Sequence, residues 1–101
     1  MSKGYWVANV DISDLDEYKK YVAANAEPFR KYGGKFLTRG GKSEIVEDKL
    51  RRSRVVVLEF ASFESALACY RSPEYAAARK LREPASVADI IVLEGYDGPQ
   101  P

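Results

Sequence analysis

Apolar residues fall into short strand-like runs and helically spaced stripes, and the strongest run is Arg54 to Phe60, RVVVLEF. Near-continuous β-branched and apolar character marks a strand covered on both faces, so this segment is expected mid-sheet. At period two, Val56, Leu58 and Phe60 share one face; Val55, Val57 and Glu59 share the other, which places a carboxylate in an otherwise apolar surface. Tyr5 to Ile12, YWVANVDI, sets Trp6, Ala8, Val10 and Ile12 against Tyr5, Val7, Asn9 and Asp11, and reads as a first strand. Between the two runs, Leu15, Tyr18, Val22, Asn25 and Phe29 recur at helical spacing behind Asp14 and Glu17, a capping box with Asp in the Ser/Thr place. Pro28 is expected to bend or divide that helix and Gly33 to stop it.

Lys35 to Arg39, KFLTR, is a short strand between Gly33-Gly34 and Gly40-Gly41. These glycines lack both the G-x-G-x-x-G order and the Lys-Ser/Thr ending of a phosphate loop, so they read as turns or bulges. Lys42 to Glu47 is expected to prolong the strand past a bulge, with Asp48 to Ser53 returning the chain as a hairpin. Ser62 caps a helix running to Tyr70, with Phe63, Ala66, Leu67 and Tyr70 as its buried stripe. Ser72-Pro73-Glu74 opens another that reaches Leu81 and ends at Glu83-Pro84. Ala88 to Glu94 is the last strand, read with Ile91 and Leu93 toward the helices and Ile90, Val92 and Glu94 away from them.

This order, βαββαβ, predicts an α+β, ferredoxin-like sandwich: an antiparallel sheet with helices on one face and strands one and three at its centre. Residues 1–96 are expected to form a single domain and 97–101 a polar, Gly/Pro-rich tail. The uncovered face would carry Val7, Leu37, Val55, Val57, Ile90 and Val92, more apolar surface than a monomer leaves in water. A second copy of the chain, related by a two-fold axis, is the simplest cover.

Composition narrows the chemistry. The chain has 101 residues and a formal net charge of +1, from 16 Lys+Arg against 15 Asp+Glu, so no global field draws it to nucleic acid or to an acidic membrane. No run approaches the roughly 20 apolar residues of a membrane span, and with no signal-type leader a cytoplasmic location is expected. With no histidine and only Cys69 as a thiol, His-based triads, His-ligated metal sites and thiolate clusters are not available from this chain. No metal or cofactor is expected. Lys49, Arg51, Arg52 and Arg54 make the one basic cluster, on a turn flanked by Glu47 and Asp48, and read as a solvated hairpin tip. Cys69 reads as a small buried hydrophobe.

Candidate binding residues form two sets. By alternation Asn9, Arg39, Glu59 and Glu94 share the face away from the helices, with Asp11 and Lys35 nearer the strand ends. Arg39 is either the anchor for a ligand carboxylate or enolate, with Glu59 a base, or half of a structural Arg39–Glu59 ion pair. Trp6, Tyr18, Tyr21, Tyr70 and Tyr75 form an aromatic set suited either to core packing or to a cleft between sheet and helices that takes a planar ligand. Tyr75 stands out because SPEY places it at a helix start.

GYW at 4–6, YGGKFLTRGG at 32–41, RVVVLEF at 54–60, SPEY at 72–75 and VLEGY at 92–96 together resemble the bacterial domain-of-unknown-function family thirteen-thirty, of the dimeric α+β barrel superfamily. Thr38 and Ala61 depart from the expected pattern, where an aliphatic residue and a proline would stand. The resemblance implies a homodimer whose two sheets close into a barrel with the helices outside, and no established activity. More distant superfamily members include cofactor-independent monooxygenases, haem-degrading enzymes, lactone isomerases and stress-responsive proteins, whose catalytic histidines have no counterpart here. The functional expectation is therefore a small pocket for a planar or anionic organic molecule. The alternatives are a cofactor-independent monooxygenase or isomerase, and a non-catalytic stress-response or structural dimer.

Overall fold

The computed structural model describes residues 2–47 and 52–101. Among them the chain runs β1 (Gly4–Ile12), α1 (Leu15–Lys31), β2 (Lys35–Arg39), β3 (Arg54–Phe60), α2 (Phe63–Tyr70), α3 (Pro73–Arg82), a 3-10 turn (Glu83–Ala85) and β4 (Ser86–Glu94). The strands form one antiparallel sheet in the order β2-β3-β1-β4, so RVVVLEF and YWVANVDI are central, as in a ferredoxin-like α+β sandwich.

Local chemistry sets the helix ends. The Asp14 carboxylate accepts from the Glu17 amide at 3.2 Å, Ser62 Oγ from Ser65 N at 3.0 Å and Ser72 Oγ from Tyr75 N at 3.1 Å, each satisfying an otherwise unpaired first-turn donor. Gly33 ends α1 at φ +76°, a backbone region that side chains disfavour. Of the two outcomes expected at Pro28, division of α1 does not occur. The proline lies within the helix near its C-terminal end, where the carbonyl left without an intrahelical donor is that of Ala24, and its own carbonyl still accepts from Tyr32 N at 3.0 Å. At Gly4 the approach of α2 is so close that a Cβ would lie 2.1 Å from the Ser62 carbonyl oxygen, so β1 and the start of α2 touch backbone to backbone.

Helices cover one sheet face, and the core between them is unusually aromatic. Trp6 is 1% exposed and meets Phe29, Phe60, Tyr70 and Tyr75 with ring centroids 5.0–5.6 Å apart. Its indole Nε1 donates to the Ala66 carbonyl at 2.8 Å. Cys69 is fully buried against α1, 3.6 Å from the Pro28 carbonyl, and burial, with Glu74 adding to it, pushes its thiol up to about 12.

Three sequence expectations change. The first concerns β4. Trp6 stands opposite Val92 and Ala8 opposite Ile90, so Ile90 and Val92 face the helices, while Ile91 and Leu93, 54% and 42% exposed, face away. The reading had these pairs reversed, because ADIIVLE is apolar at four successive positions and its parity comes only from pairing with β1. Glu94, opposite Gly4, shares the helix-side parity at an exposed strand end. The second concerns β2, which contains the irregularity itself. Phe36 pairs with Leu58 but Thr38 with Val57, so Leu37 is an extra residue and Arg39 comes opposite Val56. Third, the segment after Gly40 does not continue the strand through 42–47.

The uncovered face presents Val7, Val55, Val57, Ile91 and Leu93 between two polar margins. At one margin Glu59 lies 3.8 Å from Lys3 Nζ and accepts from the Tyr5 hydroxyl at 3.4 Å. At the other, Asp11 accepts from Ser53 N at 2.8 Å, and Arg52 reaches both Asp11 and Asp89, at 3.4 and 3.3 Å. Lys49 and Arg51 of the basic cluster lie outside the described residues. No helix among the described residues is long and apolar enough to cross a membrane.

Candidate functional site

The buried stripe of α1 is Tyr18, Tyr21, Asn25, Pro28 and Phe29, amphipathic spacing that lays two phenols and one amide onto the sheet instead of a purely aliphatic ridge. Because Ala8 and Val10 of β1 and Val56 of β3 are small, the sheet beneath does not fill the space under these residues, and a cavity remains. Trp6, Phe29 and Leu58 form its floor, Val22, Phe36 and Ile90 its flanks. Its volume is about 30 Å³, so the gap is narrow and a guest larger than water must open it.

Three arginines converge on it from different elements: Arg39 from the end of β2, Arg54 from the start of β3 and Arg82 from the last turn of α3. The bulge at Leu37 brings Arg39 to this side, where its guanidinium lies 4.1 Å from the centre of the Phe36 ring. Arg54 passes close against Gly40, where a Cβ would lie 2.1 Å from one of its guanidinium nitrogens. Arg82 is 7% exposed, and its guanidinium carbon is 5.8 Å from the Tyr21 ring centre.

Among the described residues none of the three arginines is in an ion pair, no Asp or Glu lines the cavity, and Nε of Arg54 and of Arg82 are buried without a hydrogen-bond partner. Buried charge is normally paired, because desolvation without compensation is costly. Here like charges face a largely apolar gap. Asn25, 5% exposed, also lines the cavity with its Oδ1 buried and unpartnered.

Burial pushes the Tyr18 hydroxyl above its ordinary value, and the positive field of Arg54, Arg82 and Arg39 opposes that rise. Burial drives Tyr21 higher still, with the Tyr75 hydroxyl 2.8 Å from its own adding to the effect. Tyr75 is raised by burial as well, against hydrogen bonding to Tyr21 and the charge of Arg82. The lining thus combines, among the described residues, three guanidiniums and buried phenols with no carboxylate or imidazole. Among the described residues no cluster of three or more His, Cys, Asp or Glu side chains gathers as a metal site would require.

The sequence candidates therefore separate. Trp6, Tyr18 and Tyr21 line the cavity and Arg39 stands at its mouth; Tyr75 lies behind the wall, joined to it through Tyr21. Tyr70 lies instead on a second groove, between α3 and β4, with Arg79 and Ser86. Asn9 and Glu59 are on the opposite sheet face, Asn9 across from Val55 and Asp89. No Arg39–Glu59 ion pair exists, because the bulge puts the two side chains on different sides of the sheet. Sequence reasoning did not single out Arg54, Arg82 or Asn25. The available signal was spacing: Asn25 sits in the apolar stripe of α1, and Arg82 follows Tyr75 and Ala78 on the buried stripe of α3.

Comparison with solved structures places this arrangement on a recurrent fold. A protein of unknown function from Rhodopseudomonas palustris is similar at a TM-score of 0.74 with 19% identity, over 96% of this chain and 85% of that one. SnoaB, a cofactor-independent oxygenase from Streptomyces nogalater, matches at 0.62 with 10% identity over 97% of each chain. A conserved protein of unknown function from Bacteroides thetaiotaomicron, a possible oxidoreductase, matches at 0.56 with 15% identity, over 92% and 97%. These likenesses show the shared α+β barrel fold. No curated protein matches the chain. The model of the domain of unknown function DUF1330 matches residues 3–96, nearly the whole chain, and the protein belongs to that family.

Proposed function

We propose that this protein binds a small, thin organic anion in the cavity between α1 and the sheet. The observation that carries this reading is the convergence of Arg39, Arg54 and Arg82 on an apolar gap with no carboxylate in its lining. A bound carboxylate or enolate would supply the missing counter-charge through the planar donor forks of these side chains. The narrowness of the gap and its aromatic floor favour a flat conjugated body over a branched aliphatic one. Arg39, the exposed member, would swing from Phe36 to admit it. SnoaB's oxygenase activity would extend to this chain only for a ligand already ionised, since no lining group takes its proton.

The test is a thermal-shift series with benzoate and with benzamide, its neutral isostere. Benzoate at ten times its dissociation constant should stabilise the fold by about 1.4 kcal/mol, a shift of roughly 5 °C or more, and benzamide should not. Because no carboxylate, imidazole or thiol among the described residues lines the cavity, the benzoate shift should be flat between about pH 5 and 9. It should disappear as pH falls through the ligand's own carboxyl value near ~4. Equal shifts from acid and amide, or none from either across a panel of planar carboxylates, would sink the reading.

We also propose that the uncovered face pairs with a second copy. Val7, Val55, Val57, Ile91 and Leu93 form an apolar belt with polar margins, the layout of an interface core and rim. Light scattering at micromolar concentration should return about twice the 11.3 kDa chain mass. Val57→Lys at the centre of the belt should return a folded monomer, and a wild-type monomer would refute the pairing.

A further inference from the structure

One lining group has no counterpart in an anion alone. Asn25 Oδ1 is an acceptor, it lines the same cavity as the guanidiniums, and it is buried without a partner in a residue 5% exposed. The amide does not owe its place to helix formation, since asparagine is a poor residue for a helix interior, and it sits four residues from Tyr21 and from Phe29 on the stripe where an apolar side chain would pack without cost. The Tyr21 and Tyr75 hydroxyls bond each other at 2.8 Å, and the Asn25 amide acts on Tyr21 as a donor does, which leaves Oδ1 as the unspent end of that amide. We propose that the ligand carries, besides its anionic group, a hydroxyl or N–H that donates to Asn25 Oδ1. This makes it a hydroxy- or amino-substituted planar acid, a narrower class than the organic anion proposed above, on which the inference rests.

The two groups must be well separated on the ligand. Arg54 acts on Tyr18, and Asn25 is seven residues further along α1, about 10 Å along the helix axis at 1.5 Å per residue. An anion held at the Tyr18 end thus places the donor across the ring from the acid and not beside it. Para substitution fits this separation, and ortho substitution does not.

The probes are benzoate, 4-hydroxybenzoate, 2-hydroxybenzoate and 4-methylbenzoate, the last a near-isostere of the para phenol without the donor. Titration calorimetry on the full-length protein should give 4-hydroxybenzoate about tenfold tighter than both benzoate and 4-methylbenzoate, the worth of one hydrogen bond to an otherwise stranded acceptor. The 2-hydroxy isomer should gain nothing. Asn25→Leu should erase the preference for the para hydroxyl, bringing 4-hydroxybenzoate to the affinity that 4-methylbenzoate has for the same variant. Its melting temperature should be unchanged or higher, since a buried unpartnered acceptor has been replaced by an apolar group of similar size. If benzoate binds but the para hydroxyl confers no advantage, the inference fails and the anion pocket stands. If Asn25→Leu melts several degrees lower, the amide is structural and the inference fails again. If no benzoate binds at all, both readings fall together.

Discussion

Replacing Trp6 with alanine is expected to destabilise the fold by about 3–5 kcal/mol, the cost of deleting a large aromatic side chain from a packed core. Trp6 touches α1 through Phe29, the sheet through Phe60, α2 through Tyr70 and α3 through Tyr75, so one cavity would loosen every helix at once. Set against a total of about 5–15 kcal/mol for a small domain, the loss leaves little of the native population in reserve. Urea titration at several wavelengths would measure it. Trp6→Phe isolates one part of the effect, the indole donation to the Ala66 carbonyl at 2.8 Å, and should cost roughly 1 kcal/mol beyond its smaller volume loss. A Trp6→Ala loss below about 1 kcal/mol would mean that the aromatic cluster does not brace the helices as described.

Replacing Arg82 with methionine should act in the opposite direction on stability while removing the pocket's buried charge. The guanidinium is 7% exposed, has no ion pair among the described residues and leaves Nε unpartnered. Its contacts with the Tyr21 ring and the Tyr75 hydroxyl together fall short of the several kcal/mol needed to desolvate a charge. An unbranched apolar side chain of similar length should therefore raise stability by about 1–3 kcal/mol, as removal of a functional buried charge often does. Affinity for benzoate should fall at least tenfold, with the loss of charge-assisted hydrogen bonds. Denaturant melts and calorimetry on the same variant settle the matter together. A variant that is clearly less stable and still binds benzoate would make Arg82 a brace for Tyr21 and Tyr75 and not part of an anion site.

The fold was legible because its evidence is local. Capping residues at Asp14, Ser62 and Ser72, the Gly33 stop and the alternation in β1 and β3 each mark an element without reference to any other. Element order then leaves few topologies. The site was less legible because it depends on pairing. Whether Ile90 or Ile91 faces the helices is decided by the partner that β1 presents, and four apolar positions in a row conceal the answer. The true neighbours of Arg39 depend on a bulge that KFLTR does not announce. Arg54 looked like one charge in a basic hairpin, and Arg82 stands among the cations of the last turn of α3, where the dipole welcomes any basic residue. Only the assembled sheet and helices show that these charges meet.

The extra residue in β2 has a consequence for how this family diversifies. Because Leu37 stands between two otherwise regular pairings, Lys35 and Thr38 belong to the uncovered face while Phe36 and Arg39 belong to the cavity. Loss of Leu37 itself would restore simple alternation and leave Arg39 opposite Val56 on the cavity side, whereas pairing all five residues without the bulge would turn the Arg39 guanidinium to the opposite face. Whether this short edge strand keeps its bulge thus decides whether the cavity carries the Arg39 charge. When relatives are compared, the pairing register of this strand should be settled before any arginine is counted as shared.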